Sequence, residues 1–152
     1  MPKPPSIARF EHLYWASVIV GLINTGLAWG ASRATFAANP ILAQVTWLLP
    51  VMQVVGIAIN VTVWFFIARR PTVVAKWVMV VFAAISAFAL VWALGMVAMG
   101  RASIGTQAML GTVANLLYIG AAVMLFRPDA RLWLGEGLDE DDLDLDMGGP
   151  RT

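Results

Sequence analysis

The 152-residue chain has no cysteine and a single histidine, His12. Without thiols it has no disulfides, no thiolate metal site and no thiol-based redox relay. One imidazole also excludes haem held by paired histidines in a bundle, and any His-rich zinc or iron site. Charge is scarce: 12% of residues are charged, against about 25% in an ordinary soluble domain. Between Glu11 and Asp129 there is no acidic residue at all. No nucleophile stands with a base, no glycine-rich phosphate loop follows a strand, and there is no basic patch for nucleic acid. Catalysis and nucleic-acid binding are therefore not expected, and the chemistry calls for no cofactor and no metal.

What remains is apolar: 60% of residues are hydrophobic and the mean hydropathy is +0.77. Four apolar stretches, 10–29, 46–68, 77–99 and 105–126, each approach the ~20 residues that cross ~30 Å of hydrocarbon. The expected fold is all-α, an integral membrane four-helix bundle. A Pro-rich lead-in over 1–9 precedes it, a short interfacial segment over 128–134 follows, and a disordered acidic tail occupies 135–152. The first stretch is longer than a signal-peptide core and lacks a convincing small-residue cut, so it is read as a span.

The modest net charge of +1 hides a division. Residues 1–134 carry nine Lys or Arg against two acids; residues 135–152 carry seven acids and Arg151. If each stretch is a span, Lys3, Arg9, Arg69, Arg70, Lys76, Arg127 and Arg131 fall on one side and only Arg33 and Arg101 on the other. Juxtamembrane cations resist translocation, so both termini and the middle loop are expected in the cytoplasm. The tryptophans give a partly independent check, because indoles favour the headgroup zone. Trp15, Trp64, Trp77 and Trp133 lie near the predicted cytoplasmic ends and Trp29 and Trp47 near the outer ones. Trp92 and Tyr118 lie deeper and are expected to face protein.

Loop chemistry is concentrated at prolines. Asn39-Pro40 marks a turn in an outer loop from Ala31 to about Val45, with a short interfacial helix from Ile41. Pro50 kinks span two if that span begins near Ile41, and is harmless if it begins near Leu49. Spans two and four leave the membrane alike, at Arg69-Arg70-Pro71 and Arg127-Pro128, each with an Asn ten to twelve residues upstream of the arginine. The pattern suggests two tandem hairpins, although apolar helices also resemble one another by composition.

With no fixed charge inside, the helices must associate through small residues and side-chain hydrogen bonds. Ser17, Gly21 and Thr25, the Gly26–Gly30 pair, Ala83, Ala87 and Gly95, and Gly111 form ridges suited to tight crossings. Asn24, Gln53, Asn60, Gln107 and Asn115 are the amides at depth and should point inward. They read first as interhelical contacts contributing about 0.6 kcal/mol each, and second as the lining of a polar solute path, for which Asn24, Gln53, Asn60 and Asn115 are the candidates.

Two charged segments invite stronger readings. Glu11, beside Tyr14 and Trp15, resembles the first-span glutamate of small multidrug exporters, which also have four spans; but Glu11 lies within about a turn of the edge, near Arg9, where it suits a helix start. In the tail, Asp142, Asp144 and Asp146 alternate like a calcium loop, yet the sixth position is Met147 rather than Gly. Leu138, Leu143 and Leu145 leave open a docking motif for a basic protein partner. The segments Arg69-Arg70-Pro71 to Lys76-Trp77 and Phe126-Arg127-Pro128 to Trp133-Leu134 resemble small uncharacterised four-span proteins of bacterial inner membranes. That resemblance implies a multi-pass inner-membrane protein and no transferable activity. The functional expectation is a non-catalytic accessory, scaffold or assembly subunit. The alternative is a small transporter or lipid-handling protein with an uncharged path. The expected partners are the lipid bilayer and a basic protein; self-association into a homo-oligomer is left open.

Overall fold

The computed structural model describes residues 3–101 and 105–136. Four long helices, α1 (Pro5–Ala38), α2 (Leu48–Ala68), α3 (Val73–Ala98) and α4 (Thr106–Met124), are followed by a short α5 (Pro128–Trp133). All four are long and apolar enough to cross a membrane, and no strand occurs among the described residues.

α1 is longer at both ends than expected. Pro5 takes its first position, where a fixed φ suits the helix and no N–H is needed. The lead-in predicted over 1–9 is thus helical from Pro5, with Ser6 and Ile7 already buried. At the other end, the loop predicted from Ala31 is helical through Ala38, because that run has neither Gly nor Pro. The helix stops only at Asn39 (φ −92°, ψ 120°), which the following Pro40 pushes out of the helical region. Its Oδ1 then accepts the N–H groups of Ile41 (3.0 Å) and Leu42 (3.3 Å), starting a single 3-10 turn at Leu42–Val45. Pro50 is the third residue of α2, where the N–H has no helical acceptor, so no backbone bond is lost.

α3 and α5 end alike on glycines with positive φ, Gly100 (68°) and Gly135 (83°). In each, the N–H beyond the glycine reaches back five residues, Arg101 to Met96 O and Glu136 to Arg131 O, both at 2.9 Å. The second closure has a consequence for the tail predicted to be disordered from residue 135: Gly135 turns the chain and Glu136 folds back onto the bundle. The ammonium of Lys76, a side chain only 3% exposed, sits 2.5 Å from Glu136 Oε2 and 4.6 Å from the centre of the Phe126 ring. Arg131 Nε lies 3.5 Å from the same oxygen. Lys76, which the sequence groups with the juxtamembrane cations, is therefore a buried, paired charge.

α1 lies most extensively on α4, α4 packs on α3, and α2 closes the ring against α1 and α3. The core fills one end of this ring. Ile7, Phe10, Tyr14, Ile67, Met79 and Leu125 are fully buried where α1 begins, α2 turns into α3 and α4 passes to α5. Polar ties secure this packed end: Ser6 N–H donates to Asp129 Oδ2 (3.1 Å), and Trp133 Nε1–H to the Ile67 carbonyl (3.3 Å). The Ser6 hydroxyl beside Asp129, and then the N–H groups of Ser6, Asp129 and Ala130, hold that carboxyl below its ordinary range. The hydroxyl itself misses good hydrogen-bond geometry, which leaves the Ser6 N–H as the secured contact.

The opposite half is open, and two expectations change there. Trp92 is 65% exposed rather than turned to protein, because the buried face of α3 ends at Ala83, about two and a half turns earlier. Helix contact also avoids most of the predicted glycine ridges: a methyl group at Gly21, Gly26, Gly30 or Gly95 would meet nothing within 4 Å. The close approach is between α1 and α4, where a methyl group added at Gly111 would lie 3.5 Å from Asn24 Nδ2 and one at Gly120 3.8 Å from Leu13 Cδ1.

Candidate functional site

Just beyond the packed core the four helices separate around a cavity of about 440 Å³. Its floor is aromatic and amide. Tyr14 donates its hydroxyl to both the carbonyl (2.7 Å) and Oδ1 (2.9 Å) of Asn60, whose Nδ2 donates to Gly56 O (2.8 Å). Tyr118 of α4 stacks at a tilt on Tyr14, with ring centres 5.8 Å apart, and forms part of the lining. On α1, Ser17 donates to the Ala114 carbonyl of α4 at 2.9 Å, a cross-helix bond at the cavity edge. These bonds close the cavity toward the packed end.

Three of the four candidate residues, Gln53, Asn60 and Asn115, meet around this cavity. They do so differently. Asn60 is largely engaged by Tyr14 and its own helix and acts as a contact between α1 and α2. Gln53 and Asn115 line the cavity, and neither takes part in a side-chain hydrogen bond among the described residues. Their amides are left to whatever fills the space. Asn24 is not part of the lining. It turns toward Gly111 on α4, with Oδ1 buried and unpartnered. Gln107 instead reaches Leu27 O at 3.5 Å near the open end. Leu138, Leu143 and Leu145 lie outside the described residues.

Sequence reasoning missed Ser86, which adds a hydroxyl from α3 to the polar lining, beside the apolar ring of Phe82. Its signal was present: Ser86 is the one hydroxyl in α3. No charged side chain lines the cavity among the described residues. Glu11 lies instead at the packed end, paired with Lys3 and accepting the Trp64 Nε1–H at 3.2 Å.

A second hollow of about 460 Å³ runs between α3 and α4 in the open half. It is apolar, and Asn115 borders both spaces. Comparison of the chain with family models, curated proteins and solved structures finds no match.

Proposed function

We propose that this chain is a multi-pass bacterial inner-membrane protein that handles an uncharged, hydrogen-bonding solute or lipid, without bond-making chemistry, along a path between its helices. One observation carries the reading: a cavity bordered by all four helices, lined by the free amides of Gln53 and Asn115 and the hydroxyls of Ser86 and Tyr118, with no charged side chain in its wall among the described residues. Amides and hydroxyls both donate and accept, and a wall without counter-ions favours a neutral guest over an ion. The seven cations at the packed end against Arg33 and Arg101 at the other support a cytoplasmic packed end and a path open to the outside.

Glycerol is a suitable neutral probe. Stopped-flow light scattering of proteoliposomes should report faster glycerol permeation than in protein-free vesicles, reduced to that background by Asn115→Leu or by Ser86→Phe, which fills the cavity. Asn60→Leu is a poorer choice, because it also removes a partner of Tyr14. Permeation equal to that of empty vesicles, or unaffected by either variant in folded protein, would sink the reading.

The scaffold role rests on charge alone, with seven acids after Leu134. Because Glu136 belongs to the bundle, the deletion that tests it should begin at residue 137. Loss of a specific co-purifying partner would support that role.

A further inference from the structure

The two hollows share a wall residue, and their linings follow one seam. On α3 the sequence Ser86, Ala89, Ala93, Val97 recurs at three- and four-residue spacing, which keeps one face turned toward α4. On α4 the facing series is Ala108, Thr112, Asn115, Tyr118. Along both helices the lining becomes more apolar away from the packed end: Ser86, Asn115 and Tyr118 are polar and lie at the cavity, while Ala89, Ala93, Val97 and Ala108 line the groove beside Thr112, whose hydroxyl is taken up by the Ala108 carbonyl at 2.8 Å. The groove opens on the outside of the bundle, where Leu94, Met109 and Val113 are exposed to lipid.

From this juxtaposition we infer that the site takes a neutral single-chain amphiphile, its hydroxyl- and carbonyl-bearing head among Gln53, Ser86 and Asn115 and its hydrocarbon chain in the α3–α4 groove. The inference rests on the reading of the cavity proposed above and names its substrate class. Three features converge on it. The uncharged cavity wall disfavours a phosphate or carboxylate head, whose burial without a counter-ion is costly. A head made only of hydroxyls and carbonyls matches amides and hydroxyls that have no other partner. The groove spans Ala89 to Val97, about 12 Å at helical rise, enough for the first part of a chain, with the remainder free to leave sideways into the bilayer. Asn115, on the border, is the residue where head and chain join.

A monoacylglycerol carrying a diazirine in its acyl chain tests this directly in phosphatidylcholine vesicles holding the full-length protein. Photolabelling should concentrate on peptides containing Ala89–Val97 and Ala108–Thr112. Unlabelled monoacylglycerol should compete, and the matching fatty acid or lysophosphatidic acid should not. Ala93→Trp, at a lipid-exposed position, should reduce labelling there about tenfold, the equivalent of roughly 1.4 kcal/mol. Val81→Trp, exposed elsewhere on α3, should leave it unchanged. Labelling spread evenly over lipid-facing helices, or insensitive to Ala93→Trp, would overturn the inference. So would rapid disulfide pairing of Ala93→Cys chains, which are otherwise free of cysteine, since the groove would then belong to a second copy. Wild-type glycerol permeation separates the two failures: if it depends on Asn115 while labelling is non-specific, only the amphiphile falls, and if it does not, the cavity reading falls as well.

Discussion

At the scale of single residues, the glycines divide into two kinds. Gly26 and Gly30 were attractive as a packing pair but face open space, whereas Gly111 and Gly120 sit beneath α1 side chains. Gly26→Ala or Gly30→Ala should therefore hold or raise the thermal unfolding temperature in detergent, with a gain of up to about 1 kcal/mol from helix propensity. Gly111→Leu should lower it by about 1–3 kcal/mol through overpacking against Asn24. The pair Lys76–Glu136 has an equally specific signature. Glu136→Gln leaves a buried ammonium with a weaker partner and should cost about 3 kcal/mol. Lys76→Met combined with Glu136→Gln should recover most of that loss, because the uncompensated charge is gone. A double-mutant cycle of unfolding midpoints measures the coupling. Neither distinction was legible in the sequence, since a glycine carries no record of which helix crosses it. Lys76 likewise reads as one more juxtamembrane cation until Glu136 is folded back beside it.

At the scale of elements, the helix boundaries followed local chemistry wherever that chemistry was read strictly. Asn39-Pro40 and Gly100 stop their helices, and Pro5 starts one. α1 runs through Ala38, beyond the apolar stretch that ends at residue 29, because hydropathy marks where a span leaves the hydrocarbon and nothing in Ala31–Ala38 breaks the helix. The turn after α5 depends on Gly135 at φ 83°, a conformation that a β-branched residue resists. Gly135→Val should release Glu136 from Lys76, with faster amide exchange in residues 131–136 and little change in α2. Acid should loosen the same region. The Asp129 carboxyl titrates below its ordinary value of 3.8, so its bond to Ser6 contributes stability above that value and loses it as pH falls through the lower, folded one. The protection of α5 amides, taken relative to their intrinsic exchange rate at each pH, should accordingly be constant from about pH 5 to 8 and fall only at stronger acidity.

At the scale of the whole molecule, the bundle is packed at one end and hollow toward the other, and the candidate site lies at the transition. Reporter fusions at the two chain ends should respond alike, since α1 begins and α5 ends on the packed side; opposite responses would refute the even-span arrangement. How much of this was present in the chain alone can be said residue by residue. Hydropathy and length determined four helices long and apolar enough to cross a membrane, and the scarcity of charge between Glu11 and Asp129 determined that a space among them would have few charged groups to line it, because both follow from transfer of side chains and backbone into hydrocarbon. Only tertiary structure decided that Gln53 and Asn115 line the cavity without a side-chain hydrogen-bond partner among the described residues, that Asn60 is largely taken up by Tyr14, that Asn24 turns to Gly111, and that Ser86 joins the lining. An amide's energy at depth depends on which groups the neighbouring helices bring within hydrogen-bond distance, and helices far apart in sequence set that distance only when they pack.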